Sequence, residues 1–167
     1  MVNIRVATEE DISQILEIEQ EAMAPPWTHG ALLSEIYKED SYFIIAEEDT
    51  TKSSPTYSKQ HTVTIPSAHF ILGYALMRQV GDGGELLKIA VEKTSRGCGV
   101  GGLLMSAVLG HAAEKKYTSV FLEVRKSNTD ALRLYKKHGF KEMRIRKDYY
   151  TDPIEDAVIM IRREMSI

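Results

Sequence analysis

Hydrophobic and polar residues change their spacing along this chain, and the changes mark out its elements. "NIRVAT" near the start alternates, the two-residue period of a strand with one covered face. From Thr8 the period lengthens: Ile12, Ile15, Leu16 and Glu19 fall three or four apart, with Thr8 as N-cap and Glu9 to Asp11 in the first helical turn. Pro25 to Trp27 ("PPW") stop that helix, since proline lacks an amide hydrogen and clashes with the preceding turn; Thr28 caps a second helix through "HGALLSEIYK". "SYFIIAEE" is a strand by its aromatic and β-branched content. Asp49 to Ser67 is polar, Ser- and Thr-rich and holds two prolines, which predicts a long loop. "AHFILGYALMRQV" and "GELLKIAV" are strands joined by "GDGG", a hairpin signal. Beyond a glycine cluster, Val100, Leu103, Leu104, Ala107, Val108 and His111 share one helical face. "SVFLEV" reads as a buried strand. "SNTDALRLYKKHGF" reads as a helix, with Ser127 and Asp130 as a capping box and Gly139 as C-terminal cap. "KEMRIRKDYY" and "EDAVIMIRRE" close the chain as two strands joined by "TDP".

The predicted order is β-α-α-β-β-β-α-β-α-β-β, an α/β (α+β) mixed sheet flanked by helices. "ELLKIAV", the helix after the glycines and "SVFLEV" form a βαβ crossover with glycines at the helix entrance. The 167 residues allow one domain with a real core and are too few for two, so residues 1–167 are expected to form a single domain. Asp49 to Ser67 is an insertion rather than a linker, because both flanks are sheet-like. The chain is 43% hydrophobic and 27% charged, which argues against disorder, and no run of about 18 apolar residues predicts a membrane helix. The N-terminus lacks a signal peptide's basic-then-apolar build, and the single cysteine, Cys98, permits no internal disulfide; together these predict a cytoplasmic protein. A net charge of -3 speaks against a global grip on nucleic acid. Arg133 to Lys147 is locally basic, which a solvated helix face and an edge strand account for.

The sharpest chemical signal is "TSRGCGVGGLLM", Thr94 to Met105. Gly97, Gly99 and Gly102 satisfy the dinucleotide pattern G-x-G-x-x-G, and Glu123 stands where a ribose-binding acid is expected. The context fails: "EKTSR" separates the strand from its first glycine, and only one further helix follows before a hairpin. A P-loop fails because no Lys-Ser or Lys-Thr follows. Arg96, Gly99 and Gly101 satisfy R-x-x-G-x-G, which makes an anion site: helix-start amides lack intrahelical partners, missing β-carbons admit a phosphate, and arginine adds a charged donor. On these residues alone a close-packed turn stands nearly level with that reading.

Taken in order, "LLKIAVEKTSRGCGVGGLLMSAVLGHA", "LEVRKSNTDALRLYKKHGFKEMRIRKDYY" and "EDAVIM" resemble the GNAT acetyltransferases, and with "IEQEAMAPPW" they resemble their RimI-like branch. The likeness covers nearly the whole chain outside Asp49 to Ser67. It implies a mostly antiparallel mixed sheet whose parallel fourth and fifth strands splay, flanked by about four helices. It implies acetyl-CoA as acyl donor. Ile89, Ala90 and Val91 would pair with the pantetheine arm, and Arg96, Gly97, Cys98, Gly99, Val100, Gly101 and Gly102 would cradle the pyrophosphate. Asn128 would be a further cofactor contact, Glu123 the general base and Tyr135 the acid that protonates the departing thiolate. Trp27, Tyr149 and Tyr150 would line the acceptor entrance. Each residue also has a plainer reading: core strand, turn, helix cap, ion pair of Glu123 with Arg125, or packing aromatic.

The implied acceptor is a protein N-terminal α-amine, in this branch the alanine of a small-subunit ribosomal protein, attacked directly in a ternary complex. A lysine, a small-molecule amine, or a non-catalytic acyl-CoA-binding domain are the alternatives. An acyl-cysteine route through Cys98 lacks a base beside it in sequence. The histidines have no metal-ligand spacing, so no metal is expected. No membrane contact and a monomer or weak dimer are expected. The chain departs from the family at Gly102, where a basic residue is common, at Lys88, where another polar residue is commoner, and in the Asp49 to Ser67 insertion.

Overall fold

The computed structural model describes residues 1–48 and 70–163; the expected insertion at Asp49 to Ser67 lies outside them. The described elements are β1 (Val2–Val6), α1 (Ile12–Ala22), α2 (His29–Ile36), β2 (Ser41–Glu48), β3 (Phe70–Val80), β4 (Gly83–Val91), α3 (Val100–Glu114), β5 (Val120–Arg125), α4 (Thr129–Lys137), β6 (Lys141–Thr151) and β7 (Ile154–Arg162). They follow the order expected from the sequence. The strands form one sheet, β1-β2-β3-β4-β5-β7-β6, antiparallel throughout except for β4 beside β5.

Both faces of the sheet centre are covered, which is why β2 and β3 read as unbroken apolar runs rather than alternating ones. Ile44, Ala75, Met77 and Leu122 face one core with Leu104, Met105 and Val108 of α3. Phe43, Ile45, Tyr74 and Leu76 face the other with Ile12, Ile15 and Ile18 of α1 and Leu32 of α2. Each such side chain contributes about 1.5–3 kcal/mol by leaving water. Gly73 of β3 cannot be replaced cheaply, since a β-carbon there would lie 2.6 Å from the Ala90 carbonyl oxygen of β4.

Four local expectations are corrected. Gly81 and Asp82 form the β3–β4 turn, while Gly83 and Gly84 already belong to β4. A 3-10 turn over Glu9–Asp11 precedes α1, so Thr8 caps that turn and α1 begins at Ile12. Leu103 is 46% exposed, and Met105, Leu109 and Ala112 complete the buried face of α3 instead. Asn128 rather than Ser127 caps α4, its side-chain oxygen accepting from the Ala131 amide at 3.1 Å.

Candidate functional site

The site begins with one extra residue. Leu86 lies opposite Met77 and Lys88 opposite Leu76, so Leu87 is a bulge in β4. A bulge bends its strand and increases the local twist. The parallel pairing of β4 with β5 runs only from Gly84↔Val120 to Leu86↔Leu122 and ends there. Beyond it the β5-facing edge of β4 has no strand against it. A cleft of about 420 Å³ opens along this edge, lined by Ile89, Ala90 and Val91 on one side and Glu123 and Val124 on the other. Backbone groups released this way need partners, and an amide-bearing chain can supply them.

The glycine turn lies where β4 leads into α3. Gly97 and Gly99 have φ of 77° and 87°, a left-handed conformation that other residues adopt at a cost, and a β-carbon on either would meet nothing within 4 Å. The turn is thus shaped by backbone conformation and left open on its outer side. Gly101, in the first turn of α3, lines the cleft. Val100 buries its side chain in the core and offers the site only backbone. Gly102 has no neighbour closer to a built β-carbon than His138, at 3.9 Å. Arg96 is held by its Nε to the Val91 carbonyl at 3.0 Å and by a second nitrogen to Glu21 of α1. Cys98 is exposed, and neither it nor Arg96, Gly97, Gly99 or Gly102 is part of the cleft lining.

Glu123 points from β5 into the cleft, where its Oε1 accepts from Arg146 of β6 at 2.7 Å. The sequence reading of a Glu123–Arg125 pair is corrected: both stand on β5, and the Arg125 guanidinium bonds elsewhere. Tyr149 hydrogen-bonds Glu123, which raises the tyrosine's pKa above its ordinary value, and burial adds to the effect. Tyr150 is raised by burial first and by the Glu123 charge second. A bulge aims this pair: Lys147, Asp148 and Tyr149 stand where β7 has only Asp156, whose carboxylate accepts from the Asp148 amide at 3.0 Å. The two rings meet edge-on at 5.1 Å, with Arg146 over Tyr149 and Arg125 over Tyr150, each 4.1 Å from the ring centroid. Tyr135 of α4 is 6% exposed, lines the cleft and is raised by burial and then by Tyr150. Trp27 and Asn128 complete the same lining, while Tyr149 stands outside it beside Glu123.

The model of the "Acetyltransferase (GNAT) family" matches residues 12–140. The chain belongs to the GNAT acetyltransferase family. It is 33% identical over 153 residues to the "[Ribosomal protein bS18]-alanine N-acetyltransferase" of Haemophilus influenzae, covering 90% of each chain. It is 30% identical to an "N-alpha-acetyltransferase" of Sulfurisphaera tokodaii, covering 94% of this chain and 90% of that one. The crystal structure of the ribosomal-protein-S18-alanine N-acetyltransferase from Escherichia coli superposes with a TM-score of 0.78 at 28% identity, over 96% of this chain and 92% of that one. The protein is an acetyl-CoA-dependent N-acetyltransferase. Its own residues fit that donor: the bared β4 edge suits an amide-bearing arm, and the open glycine turn at the start of α3 suits a pyrophosphate.

In this GNAT site the sequence reading missed a buried polar cluster. Glu19 of α1 is fully buried; its carboxylate accepts from the Trp27 amide at 2.8 Å, from the Lys88 ammonium and from the Tyr74 hydroxyl. Burial and then Glu19 raise the Tyr74 pKa. Lys88, 9% exposed, lies 4.8 Å over the Trp27 ring and lines the cleft. The bulge makes this possible, because Leu87 and Lys88 both turn toward the α1 layer. The signal was present in part: Glu19 sits on the apolar stripe of α1, where an unpaired carboxylate would be costly. Among the described residues no group of three or more metal-ligating side chains occurs, and no helix is long and apolar enough to cross a membrane.

Proposed function

We propose that this acetyltransferase modifies the N-terminal α-amine of a protein, with the N-terminal alanine of ribosomal protein bS18 as its acceptor. The observation that carries this reading is one continuous lining that joins Trp27, Glu123, Tyr135 and Tyr150 to the bared edge of β4. An acceptor entering between Trp27 and the tyrosine pair reaches the carboxylate and the hydroxyl together. Relatives in Haemophilus influenzae and Bacillus subtilis carry the bS18-alanine name, the second as putative.

In this reading the α-amine, with an ordinary pKa near 8, loses its proton to Glu123 directly or through water. The free amine attacks the thioester carbonyl and the C–N bond forms; the nitrogen then releases its second proton to water as the C–S bond breaks. Tyr135 gives its proton to the departing sulfur and takes one back from solvent. Ile89 to Val91 hold the pantetheine arm by their backbone. Arg96 to Gly102 hold the pyrophosphate, which requires Arg96 to share or leave Glu21. Asn128 serves first as the α4 cap and borders the cofactor from there. The protein acts as a single domain in the cytoplasm, as a monomer or weak dimer.

The test is acetylation of peptides beginning with Ala, Ser or Met, beside blocked peptides with an internal lysine. Transfer to the Ala peptide is expected; transfer to the blocked lysine peptides alone would overturn the N-terminal reading. In the same assay Glu123→Gln is expected to lower turnover by about 10²–10⁴ with acetyl-CoA affinity unchanged, the usual span for a lost general base. Loss of acetyl-CoA binding in that variant would remove the role assigned to Glu123.

A further inference from the structure

We infer that Arg125 is a positioning residue for the acceptor, clasping the two loops that form its entrance. The inference rests on the N-terminal reading for the nature of that acceptor. One Arg125 nitrogen, Nη2, donates to the Ala24 carbonyl in the α1–α2 loop at 3.1 Å and to the Asp152 carbonyl in the β6–β7 turn at 3.1 Å. The other, Nη1, donates to the Pro153 carbonyl at 3.2 Å and to Glu155 at 3.3 Å. Its carbon lies 4.1 Å from the centroid of Tyr150. A single planar group on β5 thereby joins a loop 101 residues earlier in the chain to a hairpin 27 and 28 residues later.

Two other cations, Lys88 in the cleft lining and Arg146 beside Glu123, are engaged differently. Lys88 is taken by Glu19 and Arg146 by Glu123, and each of these pairs a charge with a carboxylate. Arg125 spends three of its four bonds on backbone carbonyls, so it fixes where chain segments run. Those segments carry Trp27 on one wall and Tyr150 on the other. The clasp also reaches α4: Glu155, its carboxylate partner, accepts from the Ser127 amide at 2.5 Å, just before the helix that carries Tyr135. Only a flat fork of several donors can bridge two carbonyls and stack on a ring at once. A lysine keeps the charge and loses that geometry.

Arg125→Lys and Arg125→Met are compared with the wild type in steady-state acetylation of an Ala-initiated peptide. The KM for the peptide is expected to rise about tenfold or more in both variants, the cost of one or two charge-assisted bonds. The KM and Kd for acetyl-CoA should stay within about twofold, because neither loop belongs to the β4 edge or the glycine turn. An unchanged peptide KM overturns the proposal, and so does a parallel rise for both substrates, which would mark Arg125 as merely structural. Amide exchange in the wild type supplies a measurement that needs no variant. Peptide binding should slow exchange in Met23–Thr28 and in Asp152–Glu155 together, and protection of one loop alone overturns the clasp. If the wild type acetylates no peptide N-terminus, the functional reading fails by itself. The clasp is then judged by the same KM comparison on whichever amine the enzyme accepts.

Discussion

At the scale of single residues, the cleft holds a tyrosine hydroxyl whose surroundings keep its proton in place. Tyr135 lies under the sheet, where burial and the neighbouring Tyr150 lift its pKa above the ordinary tyrosine value of about 10. The neutral hydroxyl is therefore favoured, and its proton is kept to higher pH than in a free tyrosine. A proton donor for a thiolate needs that state. Turnover is expected to show no fall from ionisation of this hydroxyl up to about pH 10, and Tyr135→Phe should slow turnover at saturating substrates with unchanged acetyl-CoA affinity. Unchanged turnover in Tyr135→Phe would take the hydroxyl out of the reaction. Glu123 was legible in the sequence because a carboxylate within "VFLEV" has to face a cleft or a partner. Its partner was not legible: Arg146 arrives from another strand, and the nearer Arg125 looked equally suitable on paper. The pairing of Glu19 with Lys88, 69 residues apart, was hidden for the same reason, since no local pattern links two such distant positions.

At the scale of elements, the start of α3 combines an open glycine turn with two glycines inside the helix. Gly101 and Gly102 weaken the first turn, because glycine loses more backbone freedom than any other residue on becoming helical. Gly102 has room for a side chain and no positive φ, so Gly102→Ala is expected to stabilise the protein by up to about 1 kcal/mol in denaturant titrations. Gly102→Arg is expected to bind acetyl-CoA more tightly at low salt, with the gain shrinking as salt rises, because the added charge faces the phosphates across solvent. Equal affinity at all salt concentrations would mean that position 102 does not face the pyrophosphate. Gly99 behaves oppositely: at φ of 87°, Gly99→Ala should cost about 1–2 kcal/mol despite its open surroundings. The order of elements was legible because apolar spacing changes sharply between strands and helices. The Leu87 bulge was not, since a register is a property of two strands and β4 alone reads as a regular strand. The exposed face of Leu103 escaped for a related reason: a helix with apolar residues nearly all round leaves the position of its buried stripe to the sheet it meets.

At the scale of the whole molecule, two buried carboxylates join distant parts of the fold and set its response to acid. Asp11 accepts two bonds from Arg5 at 2.8 and 2.9 Å and one from the Thr8 amide at 2.7 Å, while Arg5 also bonds Glu47 of β2 at 2.9 Å. Glu35 of α2 accepts from Lys38 at 2.7 Å, from Ser41 at 2.5 Å and from Arg78 of β3. Burial alone would raise both pKa values, yet these bonds outweigh it and both lie below the ordinary carboxylate range. A folded-state pKa below the unfolded one means that the unfolded chain binds protons first as pH falls. The stabilisation is therefore complete above about pH 5 and is lost as pH falls from about 4 through the lowered folded-state values. Asp11→Asn and Glu35→Gln are expected to lower unfolding free energy by about 1–3 kcal/mol each at pH 7, the usual cost of breaking charge-assisted bonds at a buried group. In denaturant titrations from pH 7 to pH 3 each variant should converge on the wild type, because protonation removes from the wild type what the substitution has already removed. A deficit that stays constant across that range would show that the two carboxylates act through packing rather than charge. Neither carboxylate is part of the cleft lining, so acetyl-CoA affinity at pH 7 should be the same in both variants as in the wild type. The two sites lie in the layer formed by α1, α2 and the first three strands, away from β5 and β7. Acid should therefore loosen this layer, which carries Trp27, as pH falls through that range.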